Sequence, residues 1–512
     1  MAALTFAAAV AGMPQALGQA RYHAFALGEG TTANGINAAG HVVGTVETSG
    51  GPRAFLWTGG ELQLLGIPGD PKSWATAIND RGEVAGHMEA AGGRTRAWLW
   101  RDGRVYDLGT LPGHADSFAS GLNNAGWVVG TSRAGGAGGY NRAFLHDGRT
   151  MWDLGTLGGS NSAARAINDA GQVVGEADTA SHPSQAFLYA RGTMIDLADR
   201  SFFSTNSSAI AINNSGQIAG FQNWVSITLP GTFTDVWLYM DGRKIPVDCR
   251  SWRCVPIGLN DAGRMLAGVS RSVIPGEFGR FLLWDLASGS ADIDALGWHV
   301  TSAKGINGRD QITAHGCNVD SCQALRLDPL RERRAVEYFH AGFGHYFITA
   351  IEGEIAALDT APSSAWTRTG RTFNVFDEGP APLAPVCRFW SDQSFAPKSS
   401  HFYTPYVHEC DLLKAGTTWR YEGEMFSLRL PEGTPGSKAC PSGTQPLYRA
   451  YNNNLSGAPN HRYTTDPALL DQMIAQGWTM EGEATTRAFA CVPLQDRAVS
   501  VEVPRPRLQL PE

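Results

Sequence analysis

The sequence predicts an all-β N-terminal seven-bladed β-propeller followed by a second β-rich, pseudo-threefold domain with short helices. Three observations carry this expectation. A short phrase centred on an asparagine recurs seven times, on Asn37, Asn79, Asn123, Asn168, Asn213, Asn260 and Asn307, at spacings of 42, 44, 45, 45, 47 and 47 residues. A period in this range marks one supersecondary unit stacked on its own copies. After residue 329 that period stops, and a longer phrase built on His and Trp appears three times. Only 17% of the 512 residues are charged while 61 are Gly, the composition of a chain with many tight turns between strands.

One repeat has four parts. A small-residue strand such as 163–168 leads through a turn into a second strand such as 172–175. A variable loop follows, then an alternating strand such as 185–189, a further turn and a last strand, as in 151–157 of the preceding copy. Asn and Asp side chains bond forward to the backbone, and Gly supplies the left-handed conformation of tight hairpins. Asn168-Asp169-Ala170-Gly171 therefore reads as a hairpin turn, and Asp102-Gly103, Asp147-Gly148 and Asp241-Gly242 serve the third turn. Connections this short join antiparallel neighbours. Four antiparallel strands per unit, repeated radially, make a propeller blade, and seven anchors give seven blades. The last unit stops before its fourth strand, while residues 22–28 stand where such a strand falls ahead of Asn37. They are expected to complete that blade, close the ring and remove two free edges. Trp57, Trp98, Trp100 and Trp284 fall on strands and are expected to pack between blades. The loops 133–140 and 222–233 are the candidates for a binding face.

Residues 4–12 form a short apolar run, followed by small residues ending in Gly18-Gln19-Ala20. This is the pattern of a secretory signal peptide cut after Ala20, although the positively charged start of such a segment is missing. No stretch is long enough for an integral membrane span. Eight cysteines fall into local pairs: Cys249 with Cys254, Cys317 with Cys322, Cys387 with Cys410, and Cys440 with Cys491. An even count in an exported chain predicts disulfides. The spacing and the lack of paired histidines do not suit zinc, so no metal and no cofactor are expected. The expected organisation is a signal peptide over 1–20, the propeller over 21–328, a linker over 329–335, the second domain over 336–493 and a disordered tail over 494–512. The expected location is secreted, extracellular, periplasmic or cell-surface.

Arg53-Ala54-Phe55-Leu56-Trp57, Arg142-Ala143-Phe144-Leu145, Asp107-Leu108-Gly109-Thr110-Leu111-Pro112-Gly113 and Asp153-Leu154-Gly155-Thr156-Leu157-Gly158-Gly159 recur through the first part. In these motifs residues 21–330 resemble the HAF-type extracellular repeat family of bacteria. The resemblance implies an exported β-repeat protein and brings no catalytic residues with it.

The second domain repeats strand, strand, short helix, strand. Its three copies carry His345-Tyr346-Phe347 with Trp366, His401-Phe402-Tyr403 with Trp419, and His461-Arg462-Tyr463 with Trp478. The helix of the third begins with Asp466-Pro467, an N-cap followed by Pro at the first helical position. Residues 335–493 resemble an uncharacterised threefold His/Tyr/Trp repeat domain found in exported bacterial proteins. His345, Tyr346, Trp366, His401, Tyr403, Trp419, His461, Tyr463 and Trp478 are the candidate ligand-binding residues. Aromatic faces stack on sugar rings while His and Tyr direct hydrogen bonds. The alternative for the same residues is architectural: the histidines cap backbone groups and the aromatics fill a core.

No Gly-x-Ser-x-Gly elbow, His-Glu-x-x-His, P-loop or dinucleotide fingerprint is present, and Asn-Asp-x-Gly supplies too few carboxylates for calcium. A net charge of −7 with no basic stripe argues against a nucleic-acid partner. The expectation is a non-catalytic binding or adhesion protein for a glycan, a cell-envelope polymer or a protein. The alternatives are a glycosidase- or lyase-type propeller enzyme with its site in the central channel, and a structural display spacer.

Overall fold

The computed structural model describes residues 19–494 except 70, 137–138, 200–203, 226–231, 250–253, 271–278, 296, 361–364, 378, 380–382, 392–398, 442 and 456–458. Most of the expected signal segment and nearly all of the expected tail lie outside the described residues. The chain falls into two compact units, Met1–Pro329 and Leu330–Glu512.

In the first unit Thr31–Ile36, Val42–Thr48, Gly51–Trp57 and Leu62–Leu64 form a four-stranded antiparallel meander. Four further sheets of the same order follow, the last running from Ser204–Ile212 to Arg243–Pro246. The remaining strands form an eight-stranded sheet made of two meanders. One runs from Cys254–Leu259 to Gly289–Asp294. The other comprises His299–Ile306, Ile312–Cys317 and Cys322–Pro329, and its fourth strand is Gln19–Glu29. Tyr22 faces Pro329 and Ala26 faces Leu325, so the N-terminal segment supplies the strand the last repeat lacks. Its residues Gln19, Ala20 and Arg21 also pair in parallel with Asp292, Ile293 and Asp294, which joins the two meanders into one sheet. The first strands of successive meanders touch in a closed circuit, with Thr31–Ile36 meeting both Ser73–Ile78 and His299–Ile306. This arrangement is a β-propeller.

The recurring asparagine has two tasks, and the sequence displays only one of them. Its Oδ1 accepts the backbone N–H four residues ahead and closes the hairpin, as in Gln172 N to Asn168 at 3.0 Å. Its Nδ2 donates to the backbone carbonyl of the next anchor asparagine. The links run Asn37 to Asn79, Asn79 to Asn123, Asn123 to Asn168, Asn168 to Asn213, Asn213 to Asn260 and Asn260 to Asn307, each at 3.0–3.1 Å. Asn307 returns to Asn37 at 2.8 Å. All seven are buried, 3–6% exposed, so these links replace water at groups that must be paired. In the last copy Asp310 stands where the others have Gly and takes the left-handed conformation itself, φ 62°, which Asp tolerates better than most residues.

In the first five meanders the second strand carries a glycine at the closest approach to its neighbour, a place that Ala267 and Ala314 take in the last two. A Cβ on Gly44 would lie 1.9 Å from the Thr32 carbonyl oxygen, and one on Gly130 would lie 1.9 Å from that of Phe118. Only Gly fits there. The tryptophans pack between sheets as expected: Trp98 is fully buried among Val43, Ala54, Leu56 and Leu65 of the preceding sheet.

The second unit is built from three successive strand-strand-helix-strand segments. They begin at Glu332–His340, Leu383–Ser391 and Thr444–Tyr451, and their helices are Glu352–Thr360, Val407–Ala415 and Pro467–Ala475. Asp466 caps the third helix, accepting from Ala468 N and Leu469 N, the arrangement Asp-Pro favours. A core of Val336, Tyr338, Phe373, Val386, Tyr403, Phe426, Leu447, Tyr463 and Phe489 joins the three segments. The four disulfides pair as the spacing suggests: Cys249–Cys254, Cys317–Cys322, Cys387–Cys410 and Cys440–Cys491. Four such bridges suit an oxidising compartment.

Candidate functional site

Strand pairing places the nine candidate residues of the second unit and corrects one equivalence. Across the three hairpins Tyr346 faces Phe339, His401 faces Trp390 and His461 faces Tyr451. The counterpart of His401 and His461 is therefore Tyr346, while His345 corresponds to Ser400 and Asn460. Both His-aromatic phrases can be overlaid one residue out of step, and in a strand such a slip exchanges the two faces.

In their true register these residues interlock the three segments. Tyr403 is 3% exposed; its hydroxyl donates to Ile348 O at 2.7 Å and accepts from Ile348 N at 3.1 Å. Tyr463 repeats this on Tyr403, donating to its carbonyl at 2.7 Å and accepting from its N–H at 3.0 Å. Phe347 packs on His401, and Phe402 on His461, with centroids 4.7 and 4.8 Å apart. Arg388 bonds Glu354 of the preceding segment's helix through two nitrogens at 2.9 Å and faces Glu422 of its own segment at 2.8 Å. Arg449 does the same with Glu409, at 3.1 and 3.2 Å, and with Glu481 at 2.8 Å. The third junction inverts the chemistry. Glu337 occupies the arginine's position and takes both nitrogens of Arg462 at 3.0 and 2.9 Å, while Arg462 lies 3.9 Å over the Tyr346 ring. Trp366, Trp419 and Trp478 are half-buried; Trp366 packs on the core shared by the three segments, Trp419 and Trp478 each on a cluster of its own segment. The two phenols thus bond backbone groups inside the fold, while the rings of His401 and His461 pack on aromatic neighbours and turn Nε2 toward Glu422 and Glu481 rather than toward backbone groups.

His345 is 2% exposed, edge-on to Trp366 at 4.9 Å and 5.6 Å from His401, and neither ring nitrogen has a hydrogen-bond partner. Burial pushes its pKa down to about 4, aided by nearby His340. Burial, then His345 and Arg388, push His401 well below the usual range, and burial lowers His461 against the opposing pull of Glu481. An unfolded chain takes up protons near pH 6.5 that these folded imidazoles refuse. Stability of the second unit is therefore expected to be full above that pH and to fall as the pH drops toward 4. For His345 alone the full effect corresponds to about 3 kcal/mol. Urea midpoints of the full chain at pH 7.5 and pH 5 measure this, and His345→Gln should flatten the difference. Equal midpoints in the native chain would contradict buried neutral imidazoles.

A cleft of a different character lies in the first unit. It measures about 500 Å³ and lies along Thr232–Met240 and the segment that follows. Trp224 and Phe233 face each other across adjacent strands and stack at 4.7 Å. Trp237, 4% exposed, lies deeper, and Lys244 covers its ring at 4.7 Å while pairing with Asp199 at 2.9 Å. Asp235, Asp248 and the Cys249–Cys254 bridge complete the wall. Gly220 seats the deep indole, since a Cβ there would come within 2.3 Å of it. Among the described residues the buried indole N–H groups of Trp224 and Trp237 have no hydrogen-bond partner. The arrangement offers stacking faces and carboxylate acceptors. The sequence marks 222–233 as a candidate binding loop, of which 226–231 lie outside the described residues; Asp199, Trp237 and Lys244 fall outside that loop and carry no linear signal for it.

On the side of the asparagine ring, a depression of about 220 Å³ is lined by the anchors and the residues that follow them. Its carboxylates are already engaged: Asp80 accepts from Ala38 N, Asp169 from Asn124 N, and Asp261 from Asn214 N, all at 2.8 Å.

Fold and site together define a disulfide-bearing β-propeller with an aromatic cleft, joined to a module of three interlocked segments. Residues 335–488, within that module, match a family model described as a domain of unknown function, DUF5648. No curated protein matches the chain. Among solved structures the chain is similar to the β-propeller domain of the Trilobed protease from Pyrococcus furiosus. There the identity is 9% and the TM-score 0.40, covering 59% of this chain and 94% of that one. It is also similar to a catalytically inactive virginiamycin B lyase from Staphylococcus aureus, with 12% identity, a TM-score of 0.39, and 60% and 98% covered. TolB from Acinetobacter baumannii is 11% identical, with a TM-score of 0.31 and 56% and 63% covered. The fold assignment rests on the strand pairing itself.

Proposed function

We propose that this is an exported, non-catalytic binding protein: a seven-bladed propeller whose cleft takes a glycan chain, followed by a pseudo-threefold module that serves as a rigid companion. Seven blades are supported by the seven linked asparagines, with the eight-stranded sheet counted as two blades bridged by the parallel pairing at Gln19–Arg21. Export is supported by the four disulfides and by the apolar N-terminal run. The observation that carries the binding role is the cleft, where the Trp224 and Phe233 rings stand beside Asp235 and Lys244. Pyranose rings present an apolar face to such stacks and hydroxyls to charged groups such as Asp235 and Lys244. The engaged carboxylates beside the asparagine ring favour a binder over an enzyme working in the channel.

Titration of the full chain with neutral oligosaccharides, followed by tryptophan fluorescence, tests this. Trp224→Ala is expected to weaken binding about tenfold or more, since an aromatic stack and its buried area together contribute about 1–3 kcal/mol. Retained affinity in a folded variant would remove the cleft from the reading.

A further inference from the structure

The first hairpin of the second unit ends in the facing pair His340 and His345, where the second has Ser391 and Ser400 and the third Asn452 and Asn460. In the later copies these positions close the hairpin itself. Ser391 Oγ accepts from Ser400 N at 3.0 Å, and Asn452 Oδ1 accepts from Asn460 N at 2.9 Å. His340 keeps that role, its Nδ1 accepting from Phe343 N at 3.1 Å. His345 does not. It is 2% exposed, and among the described residues both of its ring nitrogens are buried without a hydrogen-bond partner. The next segment brings a second imidazole to it. The His401 ring stands 5.6 Å away between centroids, and its Nδ1 is likewise buried and unpartnered. Its Nε2 lies 3.6 Å from the Glu422 carboxylate, which Arg388 already engages at 2.8 Å. Aromatic rings surround the pair: Trp366 meets His345 edge-on at 4.9 Å, Phe343 lies parallel to it at 5.8 Å, and Phe347 packs on His401 at 4.7 Å. The remaining buried imidazole of this unit, His461, meets Phe402 and Tyr451 instead.

We propose that His345 and His401 form a binding site for a soft monovalent metal ion, Cu(I). A buried nitrogen that has lost water and found no partner is unfavourable, and coordination to an ion supplies the missing partner. Metal–imidazole bonds are about 2.0–2.1 Å long, so an ion joining one nitrogen of each ring holds the centroids about 5.5–6 Å apart, the spacing of these two rings. The donor set selects the ion. Zinc takes four donors, and two neutral imidazoles between aromatic walls offer neither those ligands nor the counter-charge that a buried dication requires. Imidazole suits copper, and the singly charged d10 ion is satisfied by two nitrogen donors in line or slightly bent. The Trp366 ring adds attraction for a cation. Glu422 stands at the other nitrogen of His401, the kind of outer partner that orients a metal-bound imidazole. Among the described residues no free cysteine competes for the ion. The inference is independent of the cleft and of its ligand.

The test titrates the full chain with Cu(I), held reduced by ascorbate, against a chromogenic Cu(I) chelator, with Zn(II) as the comparison. About one Cu(I) should bind per chain, more tightly than Zn(II), and should raise the urea midpoint of the second unit. His345→Gln removes one of two donors and should weaken Cu(I) at least about a hundredfold, beyond the range found for loss of an outer partner. His461→Gln, which removes a buried imidazole with no histidine beside it, should change the affinity less than about twofold. His401→Gln removes the other donor and should repeat the loss, which keeps the test open if His345→Gln no longer shows its urea transition. A native chain that takes up no stoichiometric Cu(I), Zn(II) bound as tightly, a folded His345→Gln variant that keeps its affinity, or an equal loss in His461→Gln would each overturn the inference.

Discussion

Glu337→Ala is expected to destabilise the second unit by about 3–5 kcal/mol, the loss found when one partner of a buried ion pair is removed. Glu337 is 1% exposed, and its carboxylate holds two nitrogens of Arg462, whose side chain is 12% exposed. Without it the guanidinium keeps only the Tyr346 face, and a cation–π contact replaces a small part of an ion pair. The second urea transition of the full chain is the readout, with the first transition as an internal reference because the strand-paired propeller does not include residue 337. Arg449→Ala should act similarly, since it leaves Glu409 and Glu481 facing each other. The discriminating comparison is the double replacement of Glu337 and Arg462 by a Leu–Phe pair. If the single loss stems from an uncompensated buried charge, the double variant should recover most of it. A double variant as unstable as the single one would mean that packing, and not charge, holds this junction.

This junction shows what the sequence displays and what it hides. The seven-copy period, the strand at residues 22–28, the cysteine pairs and the Asp466 cap were legible, because each depends on local spacing or on turn chemistry. The equivalence of the three histidines was not. His345 and His401 both precede an aromatic residue, and only cross-strand pairing reveals that Tyr346 holds the corresponding place. The charge inversion at Glu337 and Arg462 was hidden for the same reason, since opposite signs at equivalent positions look like divergence until the partners are seen together. The residues of the cleft, Asp199, Trp224, Trp237 and Asp248, come from different strands and connections of the chain. A linear reading could mark their loops but not their convergence.

The asparagine ring leads to the second large effect. Asn307→Ala is expected to destabilise the propeller by about 2–4 kcal/mol. It deprives the Asn37 carbonyl and the Gln311 N–H of their side-chain partner in a buried site, and each unsatisfied group costs about 1–3 kcal/mol. Asn168→Ala removes the same two kinds of bond, so the equilibrium losses should be comparable. Their dynamic consequences should differ. The Asn168 link joins residues 45 apart that are neighbours along the chain, whereas the Asn307 link ties residues 270 apart and spans the junction where the ring closes. At that junction Arg309 and Arg326 also reach the carbonyls of Ala38 and Gly40, Ala324 N donates to Thr31, and the strand Gln19–Glu29 pairs with Cys322–Pro329 on one side and briefly with Gly289–Asp294 on the other. Weakening the link should lower the free energy of local opening there, so amide exchange should rise in residues 22–26 and 324–328 of the Asn307 variant and stay slow in the Asn168 variant. Equal exchange in the two variants would mean that the ring yields as a whole and that its closing seam is no weaker than its other junctions.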